Sequence, residues 1–232
     1  MGRANTLTAG SQSRGSERRP VPTAERIVDA ALALLNGEGG ADVGTNHIAA
    51  HLGMSPGNLY YHFRNREEIV RAIFPRIEAD GLAATAPTGG APLDARDFGA
   101  RHLQGLAIIW RYRFFFRDLH LLLARDPELA RAFRAYEARL QRQYRGLFEQ
   151  LVADGSMRPP RGADDLDRFV TNSILVWTNW IAHLSSLRPR QEIARRDVAE
   201  GALHSFLVVA PLLEPAFAAE TRAVIERHAA DE

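Results

Sequence analysis

Between Leu59 and Phe63 the chain reads Leu-Tyr-Tyr-His-Phe, followed by Arg64-Asn65-Arg66. Phenol and imidazole groups donate and accept hydrogen bonds, guanidinium groups donate in a planar fork, and ring edges pack on methyl groups. Phosphate oxygens, base edges and thymine methyls are natural partners for such a set, and all three line a nucleic-acid groove. Leu59 and Phe63 stand at i and i+4 and face inward, so Asn58, Tyr60, Tyr61 and His62 are left pointing elsewhere. A helix this short cannot bury three rings in a row, so some of them are offered to a partner.

Two short helices joined by a tight turn would position these residues. Thr45 is the expected N-cap of the first, with Ile48, Ala49 and Leu52 on one face. Gly53 ends it, because glycine accepts the left-handed backbone of a C′ position. Ser55 caps the second helix, and Pro56 takes its first position, where a missing N–H costs nothing. This is a helix-turn-helix pattern, whose second helix enters a DNA major groove.

The stretch from Thr45 to Arg66 closely resembles the DNA-reading segment of the TetR-type repressor family. The resemblance is carried by Thr45, Ile48-Ala49, Gly53-Met54-Ser55, Gly57, Leu59-Tyr60-Tyr61-His62-Phe63 and Asn65-Arg66-Glu67. Arg66 stands where the family usually has lysine, and the likeness extends over about residues 23–75. It implies that Thr45, Tyr60, His62 and Arg66 hold phosphates. Asn46, Pro56, Gly57, Asn58 and Tyr61 would face bases, with Ser55 beside them at the helix start.

A chain of 232 residues is long enough for one or two domains with a real core. Net charge is only +1, so gross basicity does not announce nucleic acid. Residues 1–80 carry nine arginines and nine acids, so DNA binding requires charge to be segregated by face. Every basic residue is arginine. The absence of cysteine excludes disulfides, thiolate zinc sites and thiol redox sensing. No signal peptide is visible, and the longest apolar run, Leu203 to Leu213, is too short to span a bilayer. A cytoplasmic protein is expected. His47 and His51 have a spacing that can clamp a metal, but no third ligand stands near, so neither metal nor cofactor is expected.

Residues 1–20, rich in Ser, Gly and Arg, read as a disordered arm whose Arg14, Arg18 and Arg19 could reach DNA or merely be solvated. Residues 21–75 read as the DNA-binding domain. Its first helix runs from Thr23 to about Gly37 with a stripe of Ile27, Ala30, Ala31, Leu34 and Leu35. Asn65 caps a further helix through Ile69, Ala72, Ile73 and Ile77, in which Pro75 predicts a kink or break. Small residues, glycines and prolines at 81–93 mark the boundary. Residues 81–232 read as a larger helical domain for ligand binding and dimerisation. Helices are expected at 98–110, 113–125, from 129 to about 151, 163–187 and 193–213, and a short one after Pro215. No β-period appears, so the fold class is all-α.

The helix from Phe169 to Leu187 carries two apolar stripes: Phe169, Ser173, Val176, Trp180, Leu184 and Leu187, and Val170, Ile174, Trp177 and Ile181. A helix apolar on two sides must be covered on two sides. Segments 163–187 and 193–213 from two subunits would make a four-helix bundle across a two-fold axis, as in the dimers of the family this chain resembles; a single monomeric core is the alternative. Trp110, Phe114, His120, Trp177, Asn179, Trp180 and His183 combine apolar walls with a few polar points, which describes a ligand pocket as well as an ordinary core. No acid lies between Arg168 and Arg188, which argues against a cationic ligand.

The reading that follows is a ligand-responsive regulator, a repressor in the first instance. Its partners would be a palindromic operator, a small apolar or aromatic effector and a second copy of itself. An all-α enzyme is the rival from another class. No nucleophile elbow, phosphate loop, carboxylate pair or metal cluster supports it. A helical interaction protein whose helix-turn-helix no longer touches DNA is the third reading, suggested by the neutral charge of residues 1–80.

Overall fold

The computed structural model describes residues 23–37, 42–162, 164–188 and 193–230. The expected arm at 1–20 and part of the loop after Gly37 lie outside them. Among the described residues the fold is all-α, with a single antiparallel bridge between Met157 and Leu213.

Helix α1, Thr23–Gly37, buries the expected stripe of Ile27, Ala30, Ala31, Leu34 and Leu35. Helix α2 is Thr45–His51 and buries Ile48 and Ala49. Its N-cap is Gly44, with extended backbone and no side-chain cap, so Thr45 begins the helix instead of capping it. At the far end Gly53 has φ +64°. Its N–H donates to the Ala50 carbonyl at 3.0 Å and Met54 N–H to the Ala49 carbonyl at 3.0 Å. These two bonds close the helix as a Schellman motif, which requires the left-handed residue. Helix α3, Pro56–His62, starts at Ser55, whose hydroxyl accepts from Asn58 N–H at 3.3 Å. Leu59 is its one fully buried side chain.

Helix α4, Arg66–Ala84, begins at Asn65, which accepts from Glu68 N–H at 2.9 Å, while the Glu68 carboxylate accepts from Arg64 N–H at 2.7 Å. The expected break at Pro75 does not occur. The ring sits on the exposed side, and α4 continues for two further turns past it. Burial of Ile73, Phe74 and Ile77 on either side offsets the lost backbone bond. The helix also carries four residues, Gly81 to Ala84, into the segment expected to mark the boundary.

Helix α5, Ala95–Arg111, is capped by Asp94, which accepts from Asp97 N–H at 2.8 Å. The single helix expected over 113–125 is two: α6, Arg113–Arg117, and α7, Leu119–Arg125. Phe114, Phe115 and Phe116 are all buried, and three consecutive side chains do not share one helical face. Breaking at Asp118 lets the chain surround α6 with core. Helix α8, Pro127–Ala153, starts at Asp126 and ends at Gly155, φ +76°.

Helix α9 is Asp165–Leu187 and α10 is Arg195–Val209, extended by a 3-10 turn over Ala210–Leu212. The stripe Val170, Ile174, Trp177 and Ile181 is buried within the protomer. In the other stripe Ser173 and Leu184 are buried, and the exposed side of α9 is instead Asn172, Leu175, His183 and Leu187. Helix α11, Pro215–Ala230, is sixteen residues, longer than expected. It packs on α5, where Thr221 donates to the Ala95 carbonyl at 3.2 Å and Gly99 lies against Val224.

Several links fasten helices α1 to α4 to the rest. Asn36 donates to the Arg111 carbonyl at 2.8 Å and accepts from Phe114 N–H at 3.2 Å. Asp80 accepts from Tyr112 at 2.8 Å and from Arg111 at 2.9 Å. Burial raises the Tyr112 phenol to about 12, and the bond to Asp80 adds to this. Asp126, only 4% exposed, accepts from Glu128 N–H at 3.0 Å, Leu129 N–H at 3.1 Å and Arg71 at 2.6 Å. Desolvation pushes its carboxyl up, but the bonds from Leu129, Arg71 and Glu128 outweigh it and hold the group below its ordinary value. One carboxylate thus caps α8 and anchors α4. Asp126→Ala removes the cap and leaves Arg71 only its longer contact with Glu128 at 3.4 Å, and should cost about 2–3 kcal/mol in urea denaturation. Asp126→Asn keeps the cap and should cost less.

Candidate nucleic-acid interface and effector cavity

The face of α3 opposite Leu59 is open. Tyr61 is 85% exposed and Tyr60 45%; Pro56, Gly57 and Asn58 are exposed, and His62 is half-buried. The Tyr61 and His62 rings meet edge-on at 5.2 Å, which fixes them relative to each other. On α2, Asn46 is exposed beside them, and the Thr45 hydroxyl lies 3.2 Å from the Tyr60 hydroxyl. That bond ties the start of α2 to the middle of α3. Ser55 is exposed, but its oxygen is engaged in the cap. The expected DNA-contacting residues therefore gather on one side, with Arg66 as the exception. Arg66 is half-buried, its Nε is buried without an acceptor, and it lines a crevice with Val70, Leu122 and Asp126 at the junction with α7 and α8. The arginine that stands exposed at the end of α3 is Arg64. The sequence reading passed over it, although it directly follows the aromatic run. Among the described residues no group of three or more His, Asp or Glu side chains is arranged to hold a metal ion.

A cavity of about 50 Å³ lies in the larger helical body between α4, α5, α6, α8 and α9. Ile108, Ile109, Phe116, Leu140, Ile174 and Trp177 form its apolar wall. Gly81 and Gly105 let neighbouring rings approach, Ala84 lies beside them, and Thr85, Arg101, Tyr136, Tyr144 and Thr178 supply its polar groups. A Cβ on Gly81 would lie 2.2 Å from the Tyr136 hydroxyl, and one on Gly105 3.1 Å from the Trp177 ring. Glycine at these two positions is what admits the rings. Burial raises the Tyr136 and Tyr144 phenols well above their ordinary value, so both remain protonated donors.

Of the seven residues expected in a pocket, Trp177 alone lines this cavity. Phe114 is in the core, edge-on to Phe115 at 6.2 Å, its backbone held by Asn36. Trp110 is covered by the Arg113 guanidinium, 4.5 Å from the ring centroid. His120 is exposed on α7. Trp180 donates to the Asp197 carbonyl at 2.7 Å and fits the notch left by Gly201, so it belongs to the α9–α10 contact. His183 is exposed, 5.7 Å from the Trp180 ring, and Asn179 donates to the Leu175 carbonyl of its own helix. Arg101, Tyr136 and Tyr144 were missed. Tyr136 and Tyr144 stood in an apolar helical stripe, and nothing in that pattern separates a ring in a core from one on a cavity.

An exposed aromatic recognition helix, braced by three others on a larger all-helical body, defines a helix-turn-helix regulator. Comparison with known proteins agrees. Residues 27–73 match the family described as bacterial regulatory proteins, tetR family, and residues 78–220 match the associated bacterial transcriptional repressor family. The chain belongs to the TetR family of bacterial transcriptional regulators. It is 31% identical to a TetR-family regulator from Marinobacter aquaeolei VT8, over 90% of this chain and 99% of that one, with a TM-score of 0.79. The ketosteroid transcriptional regulator KstR2 of Mycobacterium tuberculosis shares the fold at 17% identity and TM-score 0.55, over 84% of this chain and 97% of that one. SmeT, in complex with triclosan, does so at 17% identity and 0.56, over 84% and 93%. No helix among the described residues is long and apolar enough to cross a membrane.

Behind the cavity wall His102 is buried among Phe98, Trp177 and Phe206, its Nδ1 2.9 Å from the Phe98 carbonyl. Burial lowers its pKa from 6.5, against a smaller upward pull from the Phe98 carbonyl, so the folded state keeps the ring neutral. The unfolded chain takes up a proton that the folded chain refuses. Stability should therefore be level above pH 6.5 and fall as the pH drops below it, and His102→Gln should flatten that fall. Urea titrations between neutral and mildly acid pH check this; an unchanged slope in His102→Gln counts against it.

Proposed function

We propose that this TetR-family chain is a ligand-responsive repressor acting in the cytoplasm. It binds a palindromic operator as a homodimer and is released by a small apolar or aromatic effector. The observation that carries this reading is the outward face of α3, where Asn58, Tyr60 and Tyr61 are exposed on a helix whose other side is fixed by Leu59. Residues 21–75 serve as the DNA-binding unit and 81–232 as the unit for effector and dimer.

Each α3 enters a major groove, with half-sites roughly 34–36 Å apart or a multiple of this. Tyr60 and His62 hold phosphates, together with Thr45 through its bond to Tyr60. Arg64 takes the phosphate role first assigned to Arg66, since it is the exposed guanidinium. Tyr61, Asn58, Asn46, Pro56 and Gly57 face base edges. The effector occupies the cavity between α4 and α9. It favours a dimer geometry that no longer matches the half-site spacing, so its action is a population shift. The second copy docks on α9 and α10, where Leu175, Leu187 and Leu207 are half or more exposed in one protomer and His183 and His204 accompany them. Catalysis has no part in this reading.

Tyr61→Ala should lose about 1–3 kcal/mol against an operator selected from random DNA, with little change on non-specific DNA. Gel shifts over a salt series check it, and equal losses on both DNAs would remove Tyr61 from base reading. Leu175→Arg combined with Leu207→Arg should give monomers by light scattering and weaken operator binding. A dimer unaffected by both changes would place the interface elsewhere.

A further inference from the structure

We infer that the effector is a small apolar carboxylate, its oxygens held by the Arg101 guanidinium and its apolar part packed on Trp177 and Ile174. The inference rests on the effector reading above and names the ligand chemistry of that same cavity. The wall carries a cation and no carboxylate. Arg101 donates only through Nη1, to the Ala84 carbonyl at 3.1 Å and the Ala86 carbonyl at 2.8 Å. Its Nε and Nη2 make no hydrogen bond among the described residues, which leaves two donors in the fork geometry that suits a carboxylate.

The other polar groups point the same way. Trp177 is 8% exposed, and its Nε1 is buried without an acceptor. A buried indole N–H in that condition is costly and can only donate. The Thr85 and Thr178 hydroxyls already donate, to Gln143 Oε1 at 2.6 Å and to the Ile174 carbonyl at 2.9 Å, so what they still offer is lone pairs that a carboxylate does not need. The Tyr136 and Tyr144 phenols are protonated. An ammonium ligand would meet Arg101 with nothing on the wall to offset the repulsion. A neutral ligand would leave the guanidinium uncompensated as the cavity closed around it.

The approach is also basic. A groove between α8 and the end of α4 is lined by Leu82, Gln143, Arg139 and Arg142. Arg139 pairs with Glu78, but Arg142 is exposed and has no ion-pair partner among the described residues. The Thr85–Gln143 hydrogen bond joins the cavity wall to this groove, so an anion drawn to the outer arginines arrives beside the wall that shields Arg101. The guanidinium that takes the carboxylate is also the one that holds the last carbonyl of α4, at Ala84, and that of Ala86 just past it; α4 is the helix that begins at the DNA-reading unit. Binding and release of DNA would thus draw on one group.

Calorimetry on the full chain with butyrate, hexanoate and phenylacetate tests this, against the matching amides and amines. The carboxylates should bind, with the amides weaker by about ten- to a hundredfold and the amines weaker still. Arg101→Gln should erase the preference for acid over amide, and Arg101→Lys should keep part of it. Should Arg101→Gln unfold, the comparison of acid with amide on the unaltered chain decides alone. Equal affinity for acid and amide, or no carboxylate bound at millimolar concentration, overturns the inference. A carboxylate that binds with the stated preference yet leaves the operator complex intact upholds the ligand chemistry and overturns the effector role.

Discussion

Phe74 packs against three rings that belong to other helices. Its centroid lies 5.7 Å from Phe115 on α6, 6.3 Å from Phe133 and 6.0 Å from Tyr136 on α8. Its own helix, α4, also carries Ile69 and Ile73 into the core shared with α1, α2 and α3. The same rod therefore runs through one continuous core that spans both parts of the fold. Protein interiors are close-packed, so a displacement at one end of such a rod is not absorbed locally. Everything proposed about regulation depends on this sharing.

The cavity meets α4 at the other end. Tyr136 touches Phe74 on one side and lies against the backbone of Gly81 on the other, where any side chain would collide with its hydroxyl. Gly81 and Ala84 form part of the cavity wall, and the carbonyls of Ala84 and Ala86 are held by Arg101. At about 50 Å³ the cavity is several-fold smaller than the ~300–1,000 Å³ of a typical ligand site. A ligand of ordinary size must displace rings or helix to enter. Tyr136 and the end of α4 border the cavity, and both lead to Phe74. A shift of these parts is the differential contact that the population shift proposed above requires.

The helices were legible because their evidence is periodic. The stripe of α1, the turn at Gly53 and the caps at Ser55 and Asn65 are local signals, and local physics decides them. Pro75 misled because its cost is local while the burial that outweighs it is tertiary. The break at Asp118 was hidden for a similar reason: three adjacent phenylalanines look helical until each must find its own neighbours. The recognition face was legible because exposure of rings is itself the anomaly. The cavity was not, since it is defined by atoms that are missing at Gly81 and Gly105 and by residues from five helices that meet only in the fold. Trp180 drew attention as a large ring, yet Gly201, twenty-one residues on, had already made its place.

The equal count of arginines and acids in residues 1–80 spoke against DNA, and the structure shows why the count is the wrong quantity. From Thr45 to Arg64 there is no acidic residue at all. Among the described residues four of the acids are engaged elsewhere: Asp29 with Arg76, Glu68 with Arg64 N–H, Glu78 with Arg139, and Asp80 with Arg111 and Tyr112. Two of those partners, Arg139 and Arg111, come from beyond residue 80, so they neutralise acids that the count charged against the DNA-reading unit. The groups that α2, α3 and the residue after them carry include Arg64, the phenols and the imidazoles, and every one of these favours or tolerates a phosphate. Fields fall off within about a Debye length, roughly 10 Å at 0.1 M salt, so a backbone docked on α3 responds to that face and not to the total.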